Sequence, residues 1–595
     1  MNKSKKIILS ILVLVIIITG IGTVYIKTKK ASAIQLEKLD TWNYIQLDKI
    51  IQQNQLKLLE NSDEKLSAII TVNTPELALI ELKQMGVEPR TISGDIVTVE
   101  IHQSKLKDIL SNRYVENVKI CEQRHTPSLI IPKQESKVVI GLVDVGLNLK
   151  YEDYLDSQGN SRIIAIWDQT EPGMNGPYIQ GATSGKLYTK DQVEWYLSQK
   201  EKSTSKGHGT FTTAIAAGNS YISINKPIKA KLNKSESPII IVETTKDEGD
   251  LIDAIAFIKN QCMIWNLLGV VNLSYGIDNG PHDGSSVLSQ ALSKMIDSKF
   301  LIVTSAGNNN QNYIHANLAN KEISELNFTV EDSNTDEISD KGIALSGWYP
   351  KNQKNIDITL SSPSGKKYGP IQRGSWSEWD TDFGSITLAN GVSDYQKDKK
   401  EIKVVIQNIK QNISLKGNWK VSINQKDKDK NSSVDFWVVS NPGYQCRLLD
   451  YSDKQENTLS DISLTNNIIA VGGYIIDDNT KEIKQANDSS RGIVNDKFKP
   501  DILAPWSVIE MDNGNQSKEV SGSSFSAPFI TRIIEYIWGK YPFVTGENIS
   551  RYLHGKLFIP DKIGYNYKAD KGDYEYIPFT WDDIDTYFSE KTKNK

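Results

Sequence analysis

The chain has 595 residues, a net charge of −4, and 24% charged and 38% hydrophobic residues, the balance of a folded globular protein with room for about three or four domains. A charge this close to neutral leaves no electrostatic footprint for nucleic acid, so no nucleic-acid partner is expected. Cys121, Cys262 and Cys446 are scattered and form neither a disulfide framework nor a metal site; they read as buried small hydrophobes.

Residues 7–26 carry no charge, and at about 1.5 Å per residue such a run spans a bilayer core of about 30 Å. Lys3, Lys5 and Lys6 precede it, and Lys27, Lys29 and Lys30 separate it from Ala31-Ser32-Ala33. That length and those lysines favour a single-pass anchor over a signal peptide cleaved at the small residues, the alternative being a secreted protein. Either way the bulk of the chain is extracytoplasmic. Segment 1–35 is thus a membrane anchor or signal, and 36–65, with Leu36, Leu39, Trp42 and Ile45 near helical spacing, a helical stalk.

Segment 66–125 reads as strand 66–72, helix 75–85, strands 87–92 and 96–101, helix 103–110 and strand 115–121. Thr74 is a candidate cap, Pro75 opens the first helix and Gly86 follows it; Ser93-Gly94-Asp95 supplies the turn. The order βαββαβ is the ferredoxin-like arrangement, which by itself carries no function.

From residue 126 the pattern changes. Apolar runs at 138–144, 239–242, 270–273 and 301–304 have the composition of strands buried on both faces, and helices are predicted at 250–261 and 285–298. Alternation of this kind implies an α/β fold, a parallel sheet with helices on both faces. Ligands of such sheets bind beyond the carboxyl ends of the strands. Asp144, Ser274-Tyr275-Gly276 and Ser305-Ala306-Gly307-Asn308 would gather there. His208 lies in Gly207-His208-Gly209-Thr210, ahead of a small-residue helix. Ser524 lies in Gly522-Ser523-Ser524-Phe525-Ser526-Ala527-Pro528 and opens a helix with Ile530, Ile533, Ile534 and Ile537 on one face. Alone, a histidine is usually structural and a serine at a helix start usually a cap.

Together these blocks resemble the subtilisin-like serine proteases, in that family's order of Asp, His and Ser. Ser489-Ser490-Arg491-Gly492 and Lys499-Pro500-Asp501-Ile502-Leu503-Ala504-Pro505 resemble two further family blocks. The resemblance covers residues 126–310 and 456–560. It implies a serine endopeptidase acting on protein or peptide substrates, with Asp144, His208 and Ser524 as the triad and Asn308 as an oxyanion donor. Ser274, Tyr275, Gly276, Ser305, Ala306 and Gly307 would then line the extended substrate. No cofactor or catalytic metal is required. Structural calcium is common in the family, but no ligand pattern here commits a site. Segment 66–125 becomes, by the same resemblance, a prodomain removed by self-cleavage between residues 122 and 136. Val145, Ser523 and Trp506 depart from the usual residues without removing a catalytic atom.

Asp144 and His208 are 64 positions apart, His208 and Ser524 316, against roughly 30 and roughly 160 in subtilisin. The second excess falls at 322–455, where seven or eight short strands are predicted at 326–330, 343–348, 356–360, 385–388, 402–406, 419–423 and 434–439, a β-sandwich or jelly roll. The catalytic unit would then comprise 126–321 and 456–595. A jelly roll at this point, with Arg162-Ile163-Ile164-Ala165-Ile166-Trp167-Asp168-Gln169-Thr170, resembles the clostridial Csp-type spore-germination subtilases, whose role the membrane segment does not match. Two other readings stay open: a catalytically silent pseudoprotease, and a surface binding protein acting through the β-sandwich.

Overall fold

The structure is a computed structural model that describes residues 65–593 apart from 122–136, 148, 150, 172–184, 201–206, 220–221, 225–227, 231–233, 246, 319–322, 334–340, 409–412, 426–432, 450–456, 478, 481, 495–496, 512–516, 560–565 and 568–574. The predicted anchor, the stalk and the expected self-cleavage segment lie outside the described residues. Among the described residues no helix is long and apolar enough to cross a membrane.

The first unit is β1 (Lys65–Val72), α1 (Pro75–Gln84), β2 (Glu88–Ser93), β3 (Ile96–His102), α2 (Leu106–Leu110) and β4 (Val115–Cys121). Its antiparallel sheet has the order β2-β3-β1-β4, the predicted βαββαβ arrangement. Alternation along the strands decides its two faces. Ala68, Ile70, Val97 and Val99 form the unit's own core with Ala78, Leu82 and Ile109, while Ile69 and Ile96 point the other way, into the core of the next unit.

That next unit is built on a long sheet. Its strands are β5 (Val138–Asp144), β6 (Ile163–Asp168), β7 (Lys186–Thr189), β8 (Ile239–Glu243), β9 (Leu268–Leu273), β10 (Phe300–Ser305), β11 (Ile469–Ile476), β12 (Ile502–Pro505), β13 (Lys556–Phe558) and β14 (Ile577–Phe579). The order is β14-β13-β12-β11-β10-β9-β5-β8-β6-β7. Every neighbouring pair is parallel except β6 with β7. Helices cover both faces, as the apolar runs demand. Ile140 and Leu142 of β5 meet α3 (Lys190–Lys200) and α4 (His208–Ala217), whereas Val139 and Val143 meet α5 (Glu248–Trp265) and α6 (Val287–Met295). The apolar stripe of α7 (Ser523–Lys540) packs beside α4 in a core with Val270, Val303 and Val471.

The βαββαβ unit docks on α5 and α6. Thr91 and Thr98 hydroxyls both donate to Asp253 Oδ1, at 2.8 and 2.9 Å, and Arg90 Nη1 is 3.5 Å from Asp253 Oδ2. Lys119 pairs with Glu248, and Lys294 with Asp95. A buried acid on α5 thus has its donors on another unit, which turns a desolvation cost into a specific contact.

Between β10 and β11 the chain forms a β-sandwich. In spatial order, one sheet holds His315–Leu318, Val434–Ser440, Lys341–Pro350, Lys399–Asn408, Ser385–Asn390 and Ser375–Asp380; the other holds Lys367–Gln372, Ile356–Ser361, Gly417–Gln425, Ile323–Asp332 and Tyr444–Leu448. All pairings within the two sheets are antiparallel. The seven predicted strands are all present. Four more had no clear apolar signature, and the first of them, His315–Leu318, begins before residue 322. Leu326, Phe328, Ile358, Val404 and Phe436 lie in the core between the sheets.

The sandwich is fastened to the sheet unit at the loop after β9. Trp437 stacks on His282 (centroids 4.2 Å apart, planes 5° apart), packs on His315 (4.6 Å) and donates its Nε1–H to Asn457 O at 3.0 Å. Lys403 Nζ donates to Asn279 Oδ1 at 2.9 Å and Lys399 pairs with Asp283 at 2.6 Å. Cys262 and Cys446 are free and buried, and burial pushes each thiol up to about 12.

Candidate active site

Asp144 ends β5 at the carboxyl edge of the sheet, where its carboxylate is buried. Oδ1 accepts from His208 Nδ1 at 2.7 Å and from Val145 N–H at 2.7 Å; Oδ2 accepts from the Thr212 hydroxyl at 2.7 Å. His208 and Thr212 are four apart on α4 and so share a face. The two glycines of the sequence blocks make this approach possible. Gly146 has φ +71°, and a Cβ on Gly207 would lie 2.2 Å from Gly146 O. No side chain fits at that crossing.

Glu243 ends β8 directly opposite Asp144 in the parallel register. Its Oε1 accepts Gly146 N–H at 3.1 Å, and its Oε2 accepts from the Tyr196 hydroxyl at 2.8 Å, which also reaches Asp168 Oδ2 at 2.9 Å. Burial, with these carboxylates adding, pushes the Tyr196 phenol well up, so it serves as a donor. Glu243 therefore holds the turn on which Gly207 rests.

Ser524 lies in the first turn of α7, half-buried, between two anchored neighbours. On one side, Ser523 N–H and Oγ–H donate to Asn308 Oδ1, at 2.9 and 2.8 Å. On the other, the Phe525 ring packs against the His208 imidazole, with centroids 5.3 Å apart. The Ser274 hydroxyl donates to Ser524 O at 2.7 Å and accepts from Asn272 Nδ2 at 2.9 Å. The ends of β9, β10, α4 and α7 thus converge on this serine. The His208 ring and the Ser524 hydroxyl are not joined by a hydrogen bond, although both are described.

Asn308 has its amide oriented by Ser523. With Oδ1 occupied, Nδ2 points past Gly522, where a Cβ would stand 3.1 Å away; it has no acceptor among the described residues, and the side chain is exposed. Gly522 has φ +143°, a conformation that suits glycine. Gly276 and Gly307 are accessible beside it, and Ala306 is buried, with its N–H on Val471 O and its carbonyl taken by Ser460 N–H. Replacing Asn308 by Asp keeps an acceptor for Ser523 and exchanges the free N–H donor for an oxygen. Turnover should fall on the order of 100- to 1000-fold with KM little changed, read by steady-state kinetics on a peptide substrate.

Of the residues singled out in the sequence, Asp144 is bonded to His208, Ser274 to Ser524 O, and Asn308 to Ser523 beside Ser524, whereas Tyr275 packs against the core of the sheet unit and Ser305 and Ala306 are buried. The structure adds Thr212, Glu243 and the tie from Ser274 to Ser524 O. The first was open to inference from its position four residues after His208. The other two depend on sheet register and on a contact between residues 250 positions apart. Among the described residues no group of three His, Cys, Asp or Glu is placed to hold a metal ion.

Residues 135–566 match the model of the Peptidase_S8 subtilase family, so the chain belongs to the subtilase family and is a subtilisin-like serine endopeptidase. Among solved structures it is similar to the Clostridium perfringens CspB protease, at 23% identity with a TM-score of 0.58 over 77% of this chain and 94% of that one. It also matches the epidermin leader peptide processing serine protease EpiP of Staphylococcus aureus (10% identity, TM-score 0.40, 89% of this chain and 99% of that one). A third match is fervidolysin from Fervidobacterium pennivorans (11% identity, TM-score 0.36, 88% of this chain and 61% of that one). No curated protein matches by sequence.

Proposed function

We propose that Ser524 is the nucleophile, His208 its general base and then the acid for the leaving amine, and Asp144 the group that fixes the imidazole tautomer and stabilises its cation. The observation that carries this reading is the 2.7 Å hydrogen bond from His208 Nδ1 to a buried Asp144, at the head of a helix packed beside the one Ser524 opens. Ser524 Oγ attacks the scissile carbonyl. The tetrahedral oxyanion takes hydrogen bonds from Asn308 Nδ2 and from Ser524 N–H, which in the first turn of α7 lacks an intrahelical acceptor. The substrate lies extended and pairs by its main chain with the 274–276 edge, with 305–307 beside it.

The βαββαβ unit acts as a prodomain and is released by cleavage between residues 122 and 136. Its buried polar contacts with Asp253 support a specific docking. The enzyme works outside the cytoplasm, tethered through residues 7–26 until that cut. A catalytically silent scaffold is the second reading, favoured by the missing bond between His208 and the Ser524 hydroxyl. In substrate-free enzymes such bonds are often long and tighten on binding, so chemistry decides. A fluorophosphonate probe should attach to Ser524 alone, as mapped by peptide mass. Absence of an adduct, or an adduct elsewhere, would leave the silent reading.

A further inference from the structure

His208 and the Ser524 hydroxyl share no hydrogen bond, so their spacing is set by the helices they open. His208 is the first residue of α4 and Ser524 the second of α7. Near the site the two helices meet through the Phe525 ring, which packs on His208 and on Phe211 with centroids 5.3 and 6.1 Å apart. Apolar contact of this kind has no direction and does not fix how far one helix slides along the other. At the far end the contact is directional. Arg532, about two turns beyond Ser524 on α7, donates through Nη1 to Gly218 O at 2.6 Å and to Ile215 O at 3.4 Å. Its Nη2 donates to Asn219 Oδ1 at 3.3 Å. The two carbonyls belong to the end of α4, where a helix has no donors of its own.

Arg162, directly ahead of β6, reaches the same end: its Nη2 donates to Ala217 O, and its Nη1 to Ser237 O at 3.2 Å. Both arginine side chains are fully buried. Glu535, one turn further along α7, faces them, and its Oε1 already accepts from the Ser235 and Ser237 hydroxyls at 2.8 and 2.5 Å. Burial pulls the Arg532 guanidinium down to about 10; Glu535 opposes the fall and Arg162 adds to it. Two buried cations are a costly way to close one helix, and well-packed apolar side chains often replace buried charges without loss of stability. Arg532 differs from Arg162 in one respect: it stands on the helix that carries the nucleophile.

Resting on the protease reading above, we propose that Arg532 is a positioning residue of the reaction: by closing the histidine's helix from the serine's helix, it sets the distance at which His208 meets the Ser524 hydroxyl. Arg162 closes the same end from the side of the sheet, and so supports the fold without setting that distance. The difference matters because a misplacement of about 1 Å between reacting groups costs on the order of 100-fold in rate.

Three variants test this. Arg532→Met keeps an unbranched side chain and removes the donors. In the folded variant, kcat and the rate of fluorophosphonate labelling of Ser524 should both fall on the order of 100-fold, with KM little changed. Arg162→Met should lower the thermal midpoint and leave both rates near wild type. Arg532→Lys keeps the charge without the planar fork; it should fold and recover part of the lost rate, and it decides the matter where the methionine variant does not fold. A wild-type kcat in folded Arg532→Met overturns the proposal, as do equal losses of kcat in the Arg532→Met and Arg162→Met proteins. Where Arg532→Met is unfolded, a lysine variant that has the wild-type kcat, or that is itself unfolded, overturns it as well. Absence of labelling from wild type defeats the protease reading, whereas labelling at the wild-type rate in a folded Arg532→Met protein defeats only the positioning role.

Discussion

Replacing Ser524 by alanine should lower peptide-bond hydrolysis by about 10⁶-fold and leave the expressed protein at full length. The Ser524 hydroxyl makes no hydrogen bond among the described residues, so its removal breaks nothing that holds the fold. The contacts that place this turn belong to its neighbours. Ser523 bonds Asn308, Phe525 packs on His208, and the Ser274 hydroxyl takes a main-chain oxygen that alanine also has. The thermal midpoint should therefore stay where it is while chemistry is lost, which separates a nucleophile from a helix cap. The readout is electrophoresis of the expressed protein. Wild type should appear as two pieces, parted between residues 122 and 136, and the variant as one. A variant that ran at the cleaved size would assign the cut to another protease.

The blocks that carry the proposed triad were legible in the sequence because each is a short run in which small residues are forced. Gly146 and Gly207 must touch for Asp144 to reach His208, and Gly522 must take a positive φ for Ser523 to reach Asn308. A sheet buried on both faces leaves a second signal, the unbroken apolar runs of β5, β8, β9 and β10. What stayed hidden has no local signature. The strand Lys367–Gln372 alternates poorly and exposes most of its side chains, so its place in the sandwich is set by its partner, not its pattern. Asp253 sits mid-helix where an acid reads as solvent-facing, yet it is buried by residues 162 and 155 positions away. Trp437, His282 and His315 come from three separate segments. Their meeting joins the sandwich to the loop after β9, which no single stretch of sequence announces.

Asp144→Asn should reduce turnover on the order of 10⁴-fold with little change in KM, for a reason visible in the three donors around the carboxylate. Val145 N–H and His208 Nδ1 share Oδ1, and Thr212 has Oδ2. An asparagine can keep its oxygen toward Val145 N–H and His208 and turn its amide toward Thr212. The Thr212 hydroxyl can then accept, since it also lies 3.2 Å from Gly209 O and can donate there instead. The imidazole is held in place, but it loses the negative charge that stabilises its cation as Ser524 gives up its proton. In the opposite orientation the amide would face both Val145 N–H and the histidine, which removes an acceptor and forces the unproductive tautomer. Either orientation disables proton transfer without unfolding the edge of the sheet, so the loss should appear in kcat and in the rate of fluorophosphonate labelling together. If that rate stayed within tenfold of wild type, Asp144 would be a structural ligand of His208 and the catalytic assignment at this edge would have to move to another carboxylate, for which Glu243 is the neighbour in register.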